Sequence, residues 1–335
     1  MRVVRGATHM TAPLAGLRIL DLGALCRQRP HALAASMAGK LCCAYGAEVV
    51  RPLPPAGEPL ADAAPLLPDG SSALDRFLNA GKRIGAASGG FDAAIGDTAA
   101  LAALANVPIT VRFSVFGPGE DPPTTELALL ALSGILEVVG EAGQPPARLA
   151  GHQPAYAAAL AAITALLAAL RGRARERIEI SLFDVCAWLN WKVAGRMLVD
   201  GKATLRGGPD NDWFTLPAAD GHVALVYQEK DWPPLRDLIG DPALAGPDFA
   251  TMPARRRNRD ALVAILTPWF RARTRMEITR AAQARRVPIG PVLWPAELLS
   301  DAQYRARGFL AEDGAPHLPV IWNGRRPGDE LQDAA

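Results

Sequence analysis

The sequence predicts an α/β protein built on a parallel sheet, with a smaller α+β region after it. Three observations carry that reading. LRILDLG (17–23) is a short apolar run closed by Asp and Gly, as a buried parallel strand closes. Residues 31–45 then read as a helix, and AEVVRPLPP (47–55) as a second strand stopped by its prolines. Strand, helix, strand implies a parallel pair with a right-handed crossover. Near residue 200 the character changes: GKATLRGGPDND (201–212) is Gly-rich and polar, a linker pattern, and hairpin and helix signals follow it.

The remaining elements follow in order. A Pro- and Gly-rich surface stretch (52–70) leads to a helix near 72–80. FDAAIG and VPITVRFSVFG (107–117) are further strands. GPGEDPPTTE (117–126) is a loop, and Thr124 and Thr125 can cap a helix that starts near Glu126. RIEISLFDVCAWLNWKVAGRML (177–198) reads as a strand passing into a long helix, with Trp188 and Trp191 as core or dimer contacts. Beyond the linker, DGHVALVY (220–227) is a hairpin signal and a strand. Helices are expected around 231–240, 257–272 and 275–286, then a strand in VPIGPVLWP (287–295) and a helix in PAELLSDAQYRARG. The expected division is a large domain over 11–200, a linker over 201–212, a small domain over 213–322 and a frayed tail over 323–335. Residues 1–10 precede the first periodic pattern and read as a loose extension.

Ala155 to Leu170 is the most apolar helix in the chain. Pro154 suits its first turn, where a missing N–H costs nothing. Leu160, Ile163, Leu166, Leu167 and Leu170 recur at helical spacing, and alanines between them let neighbouring backbones approach. A central, buried helix is expected, with an N-terminus able to stabilise an anion.

Composition removes several function classes. The chain has 335 residues, enough for two domains. Its formal net charge is +2, too small a field for general capture of nucleic acid or an anionic membrane. MRVVRGATHM has no apolar signal-peptide core, and the run 155–170 is too short and alanine-rich to span a bilayer, so a cytoplasmic location is expected. The four cysteines, Cys26, Cys42, Cys43 and Cys186, form no C-x-x-C and read as small buried hydrophobes in a reducing compartment; no metal site is expected. G-x-S-x-G, H-E-x-x-H, a Walker loop and G-x-G-x-x-G after a strand are absent from the sequence. ARRRNRD (254–260), with Arg271, Arg273, Arg275 and Arg280, reads as a solvated basic helix face.

Five stretches occur in a fixed order: PLAGLRILDLG (13–23), YGAEVVR (45–51) with PPAGEPL after it, LNAGKR (78–83), LALLALSGI with the glycine- and proline-rich run to Gly151 (127–151), and VPIGPVLWPAELLSDAQYRARGFL (287–310). Together they resemble the class III CoA-transferase family, which includes formyl-CoA and carnitine CoA-transferases and alpha-methylacyl-CoA racemase. The resemblance implies a large doubly wound, Rossmann-like domain made from the N-terminal half and the extreme C-terminus, a smaller α+β domain between, and two interlocked chains. It implies coenzyme A and acyl-CoA as substrates, a carboxylic acid as acceptor, and no permanently bound cofactor. In such a site an aspartate at the start of the alanine-rich helix attacks the thioester, and acyl groups exchange through an anhydride and an enzyme–CoA thioester.

The sequence departs from that pattern where the aspartate belongs. The position falls on Tyr156, a phenol with an ordinary pKa near 10 and a poor nucleophile at neutral pH. The family's acidic residue after the second strand is replaced by prolines and Leu53, the segment between Lys82 and Thr110 is short, and the family's last helix has no counterpart. By resemblance Lys82, Arg83 and Arg51 are candidates for the CoA phosphates; the plain alternative for each is a solvated basic side chain. Glu126 is a candidate substitute carboxylate, or else a charge favouring its helix dipole. His152 is a candidate acid or base, or else a hydrogen-bonded structural residue. Asp184 reads as structural, and Asp210 and Asp212 as exposed. Two classes of function stay open: an enzyme on acyl-CoA thioesters, by transfer or by racemase- or isomerase-like proton transfer, and a non-catalytic subunit pairing with an active homologue. A homodimer or a heterodimer with a homologue is expected accordingly.

Overall fold

The computed structural model describes residues 12–119, 121–141, 143–172, 175–202, 206, 213–312, 314–322, 324 and 326–327. The expected N-terminal extension, Asp210, Asp212 and most of the linker and tail lie outside the described residues. The chain divides into two compact units.

In the first unit, six parallel strands form one sheet: β1 (Arg18–Asp21), β2 (Glu48–Arg51), β3 (Arg83–Ile84), β4 (Ala93–Asp97), β5 (Ile109–Ser114) and β6 (Glu176–Ser181). Their order is β3-β2-β1-β4-β5-β6. The strand order reverses between β1 and β4, which makes the fold doubly wound. The helices are α1 (Arg29–Ala44), α2 (Ala73–Asn79), α3 (Thr98–Leu101), α4 (Glu126–Leu132), α5 (Gln153–Gly172), α6 (Leu182–Leu189) and α7 (Trp191–Asp200). Alternation along the strands separates the two faces of the sheet. Ile19, Val49, Ile95, Ile109, Val111 and Phe113 share one core with α1 and α5. Leu20, Val50 and Ala94 share the other with Leu101 and Leu104, at and beyond the end of α3.

Helix α5 is buried on a different face from the one its leucines mark. Ala155, Ala158, Ala159, Ala162, Ile163 and Leu166 are buried, whereas Leu160 and Leu167 are 57% and 41% exposed. The reason is α1, which also turns alanines (Ala32, Ala34, Ala35 and Ala38) into this core; small residues on both helices let the backbones come close. By length and composition α5 could cross a membrane, yet its alanine face is engaged in this core. The long helix expected after β6 is two helices. Asn190 leaves helical geometry (φ −94°, ψ 10°), and its side-chain amide donates to the Ser133 carbonyl at 2.9 Å. Trp188 and Trp191 are 74% and 67% exposed, so neither is a core residue of this chain.

The second unit has a three-stranded antiparallel sheet, β7 (Trp213–Ala218), β8 (Gly221–Val226) and β9 (Ile289–Pro291), in the order β7-β8-β9. It is packed by α8 (Trp232–Ile239), α9 (Met252–Arg257), α10 (Arg259–Arg271) and α11 (Arg275–Gln283), and closed by the single turns α12 (Pro295–Leu298) and α13 (Ala302–Ala306). This unit ends at Gly308. The sequence reading carried the small domain to 322, but the chain from Phe309 groups with the first unit, where Leu318 is buried in the α1–α5 core.

The basic run 254–260 is not a uniform solvated face. Arg255 is 1% exposed, lies 4.5 Å from the Trp232 ring, and donates to the Phe249 carbonyl at 2.7 Å and to Glu229 at 2.5 Å. Arg275 is likewise buried, and forks onto Glu297 at 2.7 and 2.9 Å. The Arg275 fork, helped by the Trp294 N–H, holds the Glu297 carboxyl down to about 2. Because the folded value is depressed below the ordinary 4.5, the stabilisation is present above that pH and fades as pH falls toward 2. Glu297→Gln is therefore expected to be less stable than the parent at pH 6, with the gap closing below about pH 4.5; urea midpoints at the two pH values measure it.

Candidate active site

Helices α1, α4 and α5 all begin at the carboxyl edge of the parallel sheet, as crossover topology requires. The crevice between the carboxyl ends of β1 and β4 is the topological switch point, where open α/β sheets take their ligands.

Glu126 is fixed at the first position of α4, whose N-cap is Thr125: the Thr125 hydroxyl accepts from the Ala128 N–H at 3.2 Å. Its side chain is 9% exposed. His152 Nδ1 contacts Glu126 Oε2, while Glu126 Oε1 is buried and has no hydrogen-bond partner among the described residues. His152 immediately precedes α5, and its carbonyl accepts the Tyr156 N–H at 3.0 Å. The His152 and Tyr156 rings meet edge to face, with centroids 6.3 Å apart. Three of the expected site residues, Glu126, His152 and Tyr156, thus converge where α5 begins. A carboxylate beside the N-terminus of a 20-residue helix is favoured by the helix dipole.

The electrostatics follow from that carboxylate. Burial pushes the Tyr156 phenol above its ordinary value, and the Glu126 charge pushes it further. The same two causes raise the Cys186 thiol to about 11. Tyr156 is therefore a neutral hydroxyl at physiological pH, and Cys186 a neutral thiol. Among these groups the Glu126 carboxylate is the candidate nucleophile.

The three expected phosphate ligands do not form a set. Lys82 is fully buried; its ammonium donates to Asp21 Oδ2 at 2.6 Å, the Ser36 carbonyl at 2.7 Å and Asn79 Oδ1 at 2.8 Å. All three of its protons are used inside the fold, so it is a structural cation. Arg51 is 4% exposed and paired with Glu58. Arg83 alone reaches solvent, with its side chain 73% exposed and bonded to Glu48 at 2.7 Å. A surface pair of that kind is worth about 0–1 kcal/mol, little enough for a phosphate to replace Glu48.

Sequence reasoning missed what stands at the switch point. Arg27 and Arg29, at the start of α1, are exposed and have no side-chain partner among the described residues. Beside them His31 is 1% exposed, and its Nδ1 lies 3.8 Å from Asp97 Oδ2, too far for a hydrogen bond. Burial raises the Asp97 carboxyl, but His31 and the N–H groups of Ala100 and Arg27 outweigh it and hold the value low. Arg27 and Arg29 beyond β1, and Asp97 closing β4, were the available signal. Among the described residues no His, Cys, Asp and Glu group could hold a metal ion.

A six-stranded doubly wound sheet with its polar cluster at the carboxyl edge places the chain among α/β proteins that take ligands at the switch point. The chain belongs to CoA-transferase family III, whose family model matches residues 96–326. That family acts on CoA thioesters. A succinyl-CoA:mesaconate CoA-transferase from Haloarcula marismortui is 26% identical over 204 residues, which cover 58% of this chain and 51% of that protein. A formyl-CoA:oxalate CoA-transferase from Rhodopseudomonas palustris is 31% identical over 105 residues, 31% of this chain and 24% of that protein. The first of these matches spans about half the length of the curated relative. In fold, the chain is similar to a CAIB/BAIF family protein from Brucella suis, with a TM-score of 0.79, 23% identity and 94% of each chain covered.

Proposed function

We propose that this chain binds an acyl-CoA at the carboxyl edge of its sheet and exchanges the acyl group through Glu126, with Tyr156 standing where related enzymes carry an aspartate. One observation carries the reading: a buried carboxylate beside a helix N-terminus, with one oxygen held by His152 and the other without a partner among the described residues.

The step balances. Glu126 Oε1 attacks the thioester carbonyl carbon, the C–S bond breaks, and CoA leaves as the thiolate. The mixed anhydride is then attacked at the glutamyl carbonyl by that thiolate, which releases the acyl group as a free carboxylate and leaves a glutamyl–CoA thioester. An incoming carboxylic acid reverses the sequence. His152 holds the other carboxylate oxygen in place, and the Tyr156 hydroxyl, neutral at this pH, is a donor for the developing oxyanion. Arg27 and Arg29, with Arg83 as a third cation, are suited to the CoA phosphates.

Intact-protein mass spectrometry after incubation with a panel of acyl-CoAs, with borohydride to trap a thioester, tests this. An adduct on the peptide carrying Glu126 is the expected result. CoA bound without any adduct or exchange would overturn the enzymatic reading in favour of a non-catalytic subunit. A specific observation keeps that second reading in view. Leu160, Trp188, Trp191, Leu198 and Val199, on α5 to α7, are exposed apolar groups of the kind that a second copy or a homologue would cover.

A further inference from the structure

We propose that a cavity of about 310 Å³ between α3 and the outer strands β5 and β6 binds a small carboxylate with a short aliphatic tail. It lies on the face of the sheet opposite α1 and α5, and Glu126 does not line it.

Strand alternation creates the cavity. Ile109, Val111 and Phe113 of β5 turn into the α1–α5 core, so Thr110 and Arg112 turn the other way. On β6, Arg177 and Glu179 do the same. The helix on this face, α3, is a single turn of four residues. Its capping Asp97 accepts from the Ala100 N–H, and the chain turns away after Leu101. Leu101 and Leu104 pack toward the apolar patch over β1 and β4, and α3, a single turn, reaches β5 but is too short to cover β5 and β6 together.

The lining has one spare positive charge. Arg112, Arg177 and Glu179 are its ionised groups, two cations and one anion. Arg112 and Glu179 cancel: Arg112 donates to Glu179 at 2.5 Å, to Thr98 Oγ1 at 3.0 Å and to the Gly117 carbonyl at 3.3 Å. Glu179 also accepts from the Ser114 hydroxyl at 2.9 Å. Arg177 is held loosely. Its Nη1 alone is engaged, with the carbonyls of Val107, Pro108 and Glu176 at 3.3–3.4 Å. Its Nε and Nη2 have no partner among the described residues, nor does the Thr110 hydroxyl.

That pattern selects the ligand class. Adjacent Nε and Nη2 donors form the planar edge that matches both oxygens of a carboxylate. A single net charge suits a monoanion. Leu101, Ala102 and Leu104 supply an apolar wall for an aliphatic tail, and the volume admits a short chain.

Titration of the full chain with butyrate, followed by calorimetry and saturation-transfer NMR, tests the proposal, with butyramide as the uncharged isostere. Saturable butyrate binding without butyramide binding is expected. Arg177→Gln is expected to weaken it at least tenfold, and Ala102→Trp, at an exposed lining position, to block it by bulk. Glu126→Gln should leave the affinity within threefold, which separates this cavity from the candidate active site. The proposal is overturned by absent saturation, by equal binding of butyramide, or by binding that Glu126→Gln abolishes and Arg177→Gln and Ala102→Trp leave intact.

Discussion

Replacing Lys82 with Met is expected to destabilise the first unit by about 3–5 kcal/mol, the usual cost of breaking a buried ion pair from one side. The pair is set deep between β1, α1 and the end of α2. Lys82 has no exposed side-chain surface and Asp21 has 1%. Burial lowers the ammonium's pKa, and the Asp21 carboxylate offsets part of that. Two glycines exist to make room. A Cβ on Gly39 would come within 2.4 Å of Asp21 Oδ2, and one on Gly23 within 2.4 Å of the Ser36 hydroxyl. Removing the ammonium strands a carboxylate whose remaining partner, through Oδ1, is the Gly23 N–H. Chemical denaturation followed by circular dichroism measures the loss. Adding Asp21→Asn to Lys82→Met is expected to recover part of it, because the uncompensated charge goes too. Equal stability of Lys82→Met and the parent would show that Lys82 is not the buried member of such a pair.

Lys82 also marks where sequence reasoning stops. The segment LNAGKR is legible as a landmark, but a sequence does not say whether a cation points at a ligand or at Asp21, sixty-one positions earlier. The sheet was legible because strands carry their burial in their composition: RILD and EVVR each hold a buried apolar pair between two charged residues. Helix α5 was legible as a helix and not as an orientation. Leucine usually marks the buried stripe, yet here the partner helix α1 is lined with alanine, and the alanine face won. The convergence of Glu126 and His152 was suggested residue by residue, but their contact bridges 26 positions and depends on α4 and α5 both starting at one edge of the sheet. Arg255 was misjudged for a related reason. A basic run looks solvated until Trp232 and Tyr227, from elsewhere in the chain, close over one member.

Glu126→Gln is expected to lower acyl exchange by about 10³-fold or more while leaving CoA affinity within threefold. The substitution keeps size and removes the charge, so binding groups at the switch point are untouched. A nucleophile lost in this way lowers kcat rather than raising KM. Tyr156→Phe separates the two candidates at the start of α5. A phenol held above its ordinary pKa by burial and by Glu126 supplies a hydrogen bond and no oxyanion nucleophile. Its removal is therefore expected to cost exchange far less than Glu126→Gln does. The reverse ranking would make the phenol, not the carboxylate, the reacting group. The double variant Glu126→Gln with Tyr156→Asp then moves the carboxylate about the site without adding a second charge. Placed alone at the start of α5, an aspartate has the helix dipole and no anionic neighbour to raise its pKa. Partial recovery of exchange in that background is expected, because what the step requires is one ionised carboxylate at this helix end, whichever of the two positions carries it.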